Sequence, residues 1–406
     1  MKSRNPRMIT RRQFLYLSSL TAAGWVAGCA TNPVTGENQL MLVSENQEIS
    51  IDKQHSPHQF STDYGTTQDG KLNTYVSQTG LRLAGRTHRP HMPYSFRVVN
   101  ANYVNAYAFP GGSIGITRGI MLKMRNEGEL AALIGHELGH VNARHTAEIL
   151  SKSQLTNLEV GGLAMAGKSA GYGDLAAQVG MLGSGALLAS YSRDNERQAD
   201  ALGMEYMVKG GYGPDGMVGL MDILNKMSKG RHGYANLLFS THPMSSERYN
   251  SAIHTARSTY ASAKRQPLYS ERYMDHTAGL RRMKGAIEIM QKGETAMGKK
   301  DYSGAQGLFQ KALKQTPRDY TGLVLMAKCQ LAQKKIDAAE RYLKTARQVY
   351  PQEGQAQYLD GYVQLKKKKY DAAITRFSTY DKMLPGNANI TFFKGFLCFY
   401  AYFFNF

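Results

Sequence analysis

The sequence predicts a mainly α-helical protein: an α+β central domain with a small β-sheet, followed by an all-α repeat array. Three observations lead there. Four columns of residues recur every 34 positions near the end of the chain, the period of stacked helix–turn–helix units. The runs Tyr94–Asn100 and Tyr103–Phe109 are rich in aromatic and β-branched residues, and a Pro110-Gly111-Gly112 turn and an alternating run, Ser113–Thr117, follow them. Such runs read as strands. A helical stretch then runs from Asn126 to Leu150, and residues 131–143 within it are small or apolar on nearly every face, the pattern of a buried helix.

Composition sets the outer limits. The 406 residues are 42% hydrophobic and 20% charged, with three cysteines. This is globular composition with room for two or three domains, and too little cysteine for a disulfide framework. No run reaches the roughly 18 uninterrupted apolar residues of a membrane-spanning helix, which excludes a polytopic membrane protein.

The chain divides into five segments. Residues 1–28 read as a lipoprotein signal peptide: Lys2, Arg4, Arg7, Arg11 and Arg12 precede a short apolar run, Phe14 to Val26. Val26-Ala27-Gly28-Cys29 looks like the lipobox of bacterial lipoproteins, whose cysteine receives a diacylglycerol and becomes the first residue. A chain lipidated at Cys29 is anchored to a membrane without crossing it. By the same resemblance the non-acidic Ala30 favours the outer membrane of a Gram-negative cell, which places the chain in the periplasm. Thr10–Leu15 also resembles a twin-arginine export signal. The competing reading is an uncleaved amphipathic leader with a chance cysteine. Residues 29–42 follow as a tether, 43–265 as one domain, 266–284 as a linker and 285–406 as the repeats.

In the repeats, Pro317, Pro351 and Pro385 keep the period, as do Tyr302, Ile336 and Tyr370, and Ala305, Ala339 and Ala373. Gly293, Ala327, Gly361 and Gly395 add a column of small residues that lets two helices approach, while each proline stops the second helix of its unit. The pattern resembles the tetratricopeptide repeat, with about three units and the last incomplete. After Gly395 an almost wholly apolar run reaches Phe406. An uncovered apolar helix is an aggregation liability, so a truncated or frame-shifted end is expected.

The net charge is +19, and loss of the five basic leader residues leaves +14. Residues 285–406 carry +9 of it, from 19 Lys and Arg against 10 Asp and Glu. An exported chain does not meet nucleic acid, so no nucleic-acid partner is expected. Lys366–Lys369, the densest run, is either a solvated helix end or a contact for an acidic partner or anionic lipid.

The chemistry concentrates in the buried helix. His136, Glu137 and His140 are the only ionisable residues between 131 and 143, and burying them is costly unless something satisfies them. His136 and His140 are one turn apart and project side by side. This HExxH spacing suits two zinc ligands with Glu137 as general base. Glu196 and Asp200, four apart on a helix, can both point at the same metal, with Glu196 as the third ligand; alone they would read as a surface pair beside Arg193 and Arg197. Two histidines and a glutamate leave one zinc position open, as catalytic sites do. Asp200 would then support a ligating histidine from behind. On a continuous helix His145 lies 140° from His140, off the ligand face, in a structural or supporting role. Ser113–Thr117 is either an edge open to extended substrate or a paired interior strand.

These residues carry a resemblance. His136-Glu137-Leu138-Gly139-His140, the Ser192-Arg193 to Ala199-Asp200 segment, Asn105-Ala106-Tyr107-Ala108-Phe109-Pro110-Gly111-Gly112, and Thr241-His242-Pro243 with Arg248 resemble the zinc metallopeptidase family that includes the CAAX prenyl protease and the heat-shock protease HtpX. Asn32-Pro33-Val34-Thr35-Gly36 resembles the start of its lipoprotein members. The resemblance implies a zincin-like endopeptidase domain with one zinc ion per chain. It also implies work on misfolded or stalled outer-membrane proteins, with the repeats docking to the β-barrel assembly machinery. The alternative is a gated chaperone or scaffold in which zinc is mainly structural. Similarity to thermolysin-like enzymes implies His136 as the partner of Asp200. His242 has three readings: a fourth zinc ligand that shuts the site, as the resemblance implies, an oxyanion or substrate contact, or a packed structural histidine.

Overall fold

The computed structural model describes residues 29–159, 191–230 and 236–404. The segment expected as a signal peptide therefore lies outside the described residues. Strands β1 (Cys29–Thr31) and β2 (Asn38–Leu40) form an antiparallel hairpin. Met41 and Val43 then pack with Ala147, and Leu42 N donates to Ser151 Oγ at 2.9 Å. The segment expected as a tether thus rests on the domain that follows it.

Helices α1 (Glu45–Thr62) and α2 (Gly70–Ala84) precede a sheet of β3 (Ser95–Val99), β4 (Ala106–Ala108) and β5 (Ser113–Thr117), in the order β3-β5-β4. β3 runs parallel to β5, with Phe96 opposite Ile114 and Val98 opposite Ile116. β4 is antiparallel to β5, with Ala106 opposite Ile116. Gly112, at φ +103, supplies the left-handed backbone that folds β5 back on β4. β5 is central, so of the two readings left open for Ser113–Thr117 the paired interior strand holds: both its backbone edges are already paired.

The sheet is followed by α3 (Arg118–Met121), α4 (Glu127–Asn142) and α5 (His145–Glu159). One helix was expected over 126–150; there are two. Arg144 takes φ +60, and its guanidinium reaches Glu48 Oε1 at 3.1 Å and Val43 O at 2.7 Å. These contacts hold a left-handed non-glycine residue that would otherwise be disfavoured.

Next come α6 (Arg193–Lys209), α7 (Asp215–Lys229), α8 (Asn236–Thr241), α9 (Ser246–Arg257) and α10 (Ser270–Arg282). In α10, within the segment expected as a linker, Tyr273 is buried and its hydroxyl donates to Met121 O at 2.6 Å. The repeats are α11 (Lys284–Gly298) with α12 (Tyr302–Gln315), α13 (Tyr320–Ala332) with α14 (Ile336–Val349), α15 (Gln355–Lys366) with α16 (Tyr370–Met383), and α17 (Ala388–Phe404). The helices α12, α14 and α16 each stop two residues before a periodic proline. A Cβ at Gly293 would come 2.4 Å from Phe309, and one at Gly361 2.6 Å from Phe377, which explains the column of small residues.

The repeats lie against the central domain. α13 is buried from Tyr320 to Gln330. At this junction Arg118 pairs with Asp319 at 2.9 Å, Thr321 Oγ1 donates to Asn100 O at 3.0 Å, and Gln355 Nε2 donates to Ser61 O at 3.3 Å. α17 packs Ile390, Phe393 and Leu397 onto Phe377 and Tyr380, while Phe392 and Phe396 remain 54% and 45% exposed. No described helix is long and apolar enough to cross a membrane.

Candidate metal centre

Every residue of α4 is buried, so its ends and faces must be matched by specific partners. Asn126 caps the helix by accepting from Glu129 N. Glu127, in the first turn, accepts from Tyr75 OH at 2.9 Å, Tyr212 OH at 2.6 Å and Arg272 Nη2 at 2.6 Å. Along one face, small residues let α6 approach: a Cβ at Gly135 would stand 2.7 Å from Gly203 O, and one at Gly139 3.0 Å from Ala199. Ser192 starts α6 with a capping box that sets Glu196 one turn into the helix.

Close approach brings four donors together. Ligand atoms of His136, His140, Glu196 and His242 all lie within 4.8 Å of one another, and all four residues are buried. His136 Nε2 is 3.1 Å from His140 Nε2 and 3.4 Å from His242 Nδ1. Glu196 Oε1 is 3.0 Å from His242 Nδ1 and 3.3 Å from His140 Nε2. Four donors at ~2.0–2.1 Å from a tetrahedral zinc stand about 3.4 Å apart, so this set fits such an ion. Three imidazole nitrogens and a carboxylate oxygen turned toward one point also lack enough protons to satisfy one another, which a cation resolves.

Glu137, expected as the base, is buried beside the cluster. Its Oε2 has no hydrogen-bond partner, and its Oε1 is 4.0 Å from His242 Nε2. Burial raises its pKa against the opposing pull of His242 and His136. A carboxylate poised this way takes up a proton more readily than an exposed one.

A second layer orients the donors. Asp200 Oδ1 lies 2.9 Å from His136 Nδ1, although the ring N–H is not aimed along that line, so the contact here is chiefly electrostatic. His140 stacks on Tyr191 with ring centres 3.8 Å apart, and Tyr191 OH is 3.0 Å from Thr146 Oγ1. His140 Nδ1 lies 2.9 Å from His145 Nδ1, whose Nε2 lies 2.9 Å from Gln198 Oε1. With Gln198 accepting from His145, His145 accepts from His140, and His140 Nε2 is left as a lone pair facing the cluster. Sequence reasoning set His145 apart from His140 by assuming a continuous helix; the break at Arg144 brings it back. Tyr191 and Gln198 carried no sequence signal beyond their proximity to motif residues, whereas Arg248, itself a motif residue, bridges Asp200 and Glu196.

The site and its scaffold define a class. Residues 70–256 match the profile of peptidase family M48, and residues 296–360 match that of the tetratricopeptide repeat. The chain therefore carries a peptidase family M48 domain followed by tetratricopeptide repeats, and is a metallopeptidase by class. It is 27% identical over 369 residues to the beta-barrel assembly-enhancing protease of Yersinia pestis, covering 81% of this chain and 74% of that one. The protein of the same name from Escherichia coli (strain K12) is 30% identical over 196 residues, 46% of this chain and 39% of that one. Metalloprotease LoiP of the same strain is 30% identical over 181 residues, 44% of this chain and 66% of that one. The match thus spans about three quarters of the Yersinia relative but well under half of the Escherichia coli protein of that name.

Proposed function

We propose that this chain is a zinc-dependent endopeptidase that cleaves misfolded or stalled outer-membrane proteins in the periplasm. In this reading lipidated Cys29 tethers it to the membrane, and the repeats hold it to the outer-membrane β-barrel assembly machinery. The observation that carries the catalytic reading is the convergence of His136, His140, Glu196 and His242 beside the unpartnered carboxylate of Glu137. The names of the Yersinia and Escherichia coli relatives support the outer-membrane role; the leader and Cys29 support the address.

One zinc per chain would be held by His136, His140 and Glu196, with His242 as the fourth donor. When bound, zinc supplies Lewis acidity, lowering the pKa of water from ~16 toward ~7 and polarising a carbonyl. Glu137 accepts the proton of the attacking water and delivers it to the departing amine. Asp200 holds His136 from behind and His145 holds His140, so both rings keep their Nε2 atoms forward. His242, itself buried, stands at the head of the short segment joining α8 to α9. In that place it excludes substrate, and its withdrawal would admit one.

A second reading is a chaperone or scaffold with structural zinc. It is favoured by the closed four-donor set, since structural zinc sites are filled and catalytic ones keep a free position. Glu137→Gln separates the two. The variant should keep its full zinc content and lose casein cleavage by about 10²–10⁴-fold, and a chelator should abolish cleavage by the wild type. A Glu137→Gln chain that still cleaves would sink the enzyme reading.

A further inference from the structure

The fold gathers the basic skew of the repeats onto one line. Lys300, Lys334 and Lys368 are 34 residues apart, each in the turn between the two helices of its unit, with φ of 62°, 61° and 57°. That left-handed backbone suits glycine, and a lysine there costs about 1 kcal/mol. The same disfavoured choice is made three times. Lys299, Lys335, Lys366, Lys367 and Lys369 occupy the same turns, and all eight lysines except the half-buried Lys367 are exposed.

The turns lie side by side. Gln333 Nε2 donates to Gln306 Oε1 at 3.0 Å, linking the second turn to the first unit. Lys367 Nζ donates to Asp337 Oδ1 at 2.6 Å, linking the third turn to the second unit. The lysines therefore form one ridge. Its acidic neighbours are Asp301, which caps α12, Asp337 and Glu340, both held by Lys367, and the exposed Asp371. Among the described residues, Lys367 alone of the eight lysines forms an ion pair.

We propose that this ridge docks the repeats onto anionic phospholipid headgroups. No arginine stands in the three turns, and the choice of lysine bears on the partner. Lysine is a compact, hydrated point charge on a flexible stem, suited to a diffuse sheet of negative charge, whereas fixed recognition of a carboxylate favours the planar fork of arginine. The inner side of the array already faces its own peptidase domain, while the ridge faces solvent. This role goes beyond the catalytic reading and does not depend on it.

The test uses the chain from residue 29 carrying Cys29→Ser, so that no acyl chain contributes to binding. It should cosediment with mixed phosphatidylglycerol–phosphatidylethanolamine vesicles, not with phosphatidylcholine vesicles, and release as salt rises. Lys300→Gly, Lys334→Gly and Lys368→Gly combined should weaken binding about a hundredfold, on the order of fivefold per lysine. Melting temperature should not fall, because glycine relieves the left-handed backbone. Equal binding to both vesicle types, binding to neither, or unchanged binding by the triple variant overturns the proposal. Capture by polyglutamate with indifference to vesicles also overturns it and reassigns the ridge to an acidic protein.

Discussion

Arg248 grips Asp200 through two hydrogen bonds of 2.7 Å, and its remaining terminal nitrogen lies 2.6 Å from Glu196 Oε2. That nitrogen also donates to Pro243 O at 2.8 Å. One buried guanidinium therefore ties together the carboxylate facing the metal, the carboxylate behind His136 and the segment that bears His242.

Arg248→Ala should accordingly act on stability and on metal at once. It leaves two carboxylates buried without their cation, which costs about 3–5 kcal/mol, and loosens ligand support worth 10–100-fold in zinc affinity. Denaturant unfolding and competition with a chelator measure the two effects. Arg248→Lys should recover little, since one ammonium cannot serve three acceptors in the same plane.

His242→Ala removes the fourth donor while His136, His140 and Glu196 remain. The variant should retain zinc and cleave unfolded casein several-fold faster than the wild type. Unchanged cleavage would make His242 a packing residue, and a large loss would make it a contact of the reacting carbonyl.

Arg118 and Asp319 join the peptidase domain to the repeats as a pair only 3% and 1% exposed, with Arg118 Nε also donating to Asn102 Oδ1 at 2.9 Å. Arg118→Ala should destabilise the junction by about 3–5 kcal/mol by stranding a buried carboxylate. Limited proteolysis should then cut between α10 and α13 at protease levels the wild type resists.

Asp63 near the same junction accepts from Tyr107 OH at 2.6 Å and Tyr103 OH at 2.8 Å. Burial nonetheless raises its pKa from 3.8 to about 6. The folded chain thus keeps a proton that the unfolded chain has already released. Folding binds protons across that window, so this contribution to stability is lost as pH rises from about 4 to about 6. Asp63→Asn, which mimics the protonated form, should match the wild type at the acid end and gain on it by about 3 kcal/mol near neutrality. Unfolding free energies measured across that range check the slope.

The parts of the site that could be read from residues were local. His136 and His140 are neighbours because an α-helix places residues four apart side by side, and the small and apolar residues around them announced a buried helix. The 34-residue period announced the array because each unit repeats the same steric needs, as Gly293 with Phe309 and Gly361 with Phe377 show. His145 takes the supporting role expected of it, but its contact with His140 was hidden because angular arithmetic holds only while a helix continues, and one left-handed residue at Arg144 ended it. β5 was ambiguous because alternation of side chains is the same for a central strand as for an edge.

Sequence alone determined the candidate site residues, their spacing along each element and the repeat architecture, since backbone geometry converts short separations directly into distances. Only the tertiary structure decided which distant groups meet: His242 beside Glu196, Arg248 across Asp200 and Glu196, and three lysine turns on one edge. Those meetings depend on how whole surfaces pack, a property of many side chains together that no single stretch of chain encodes.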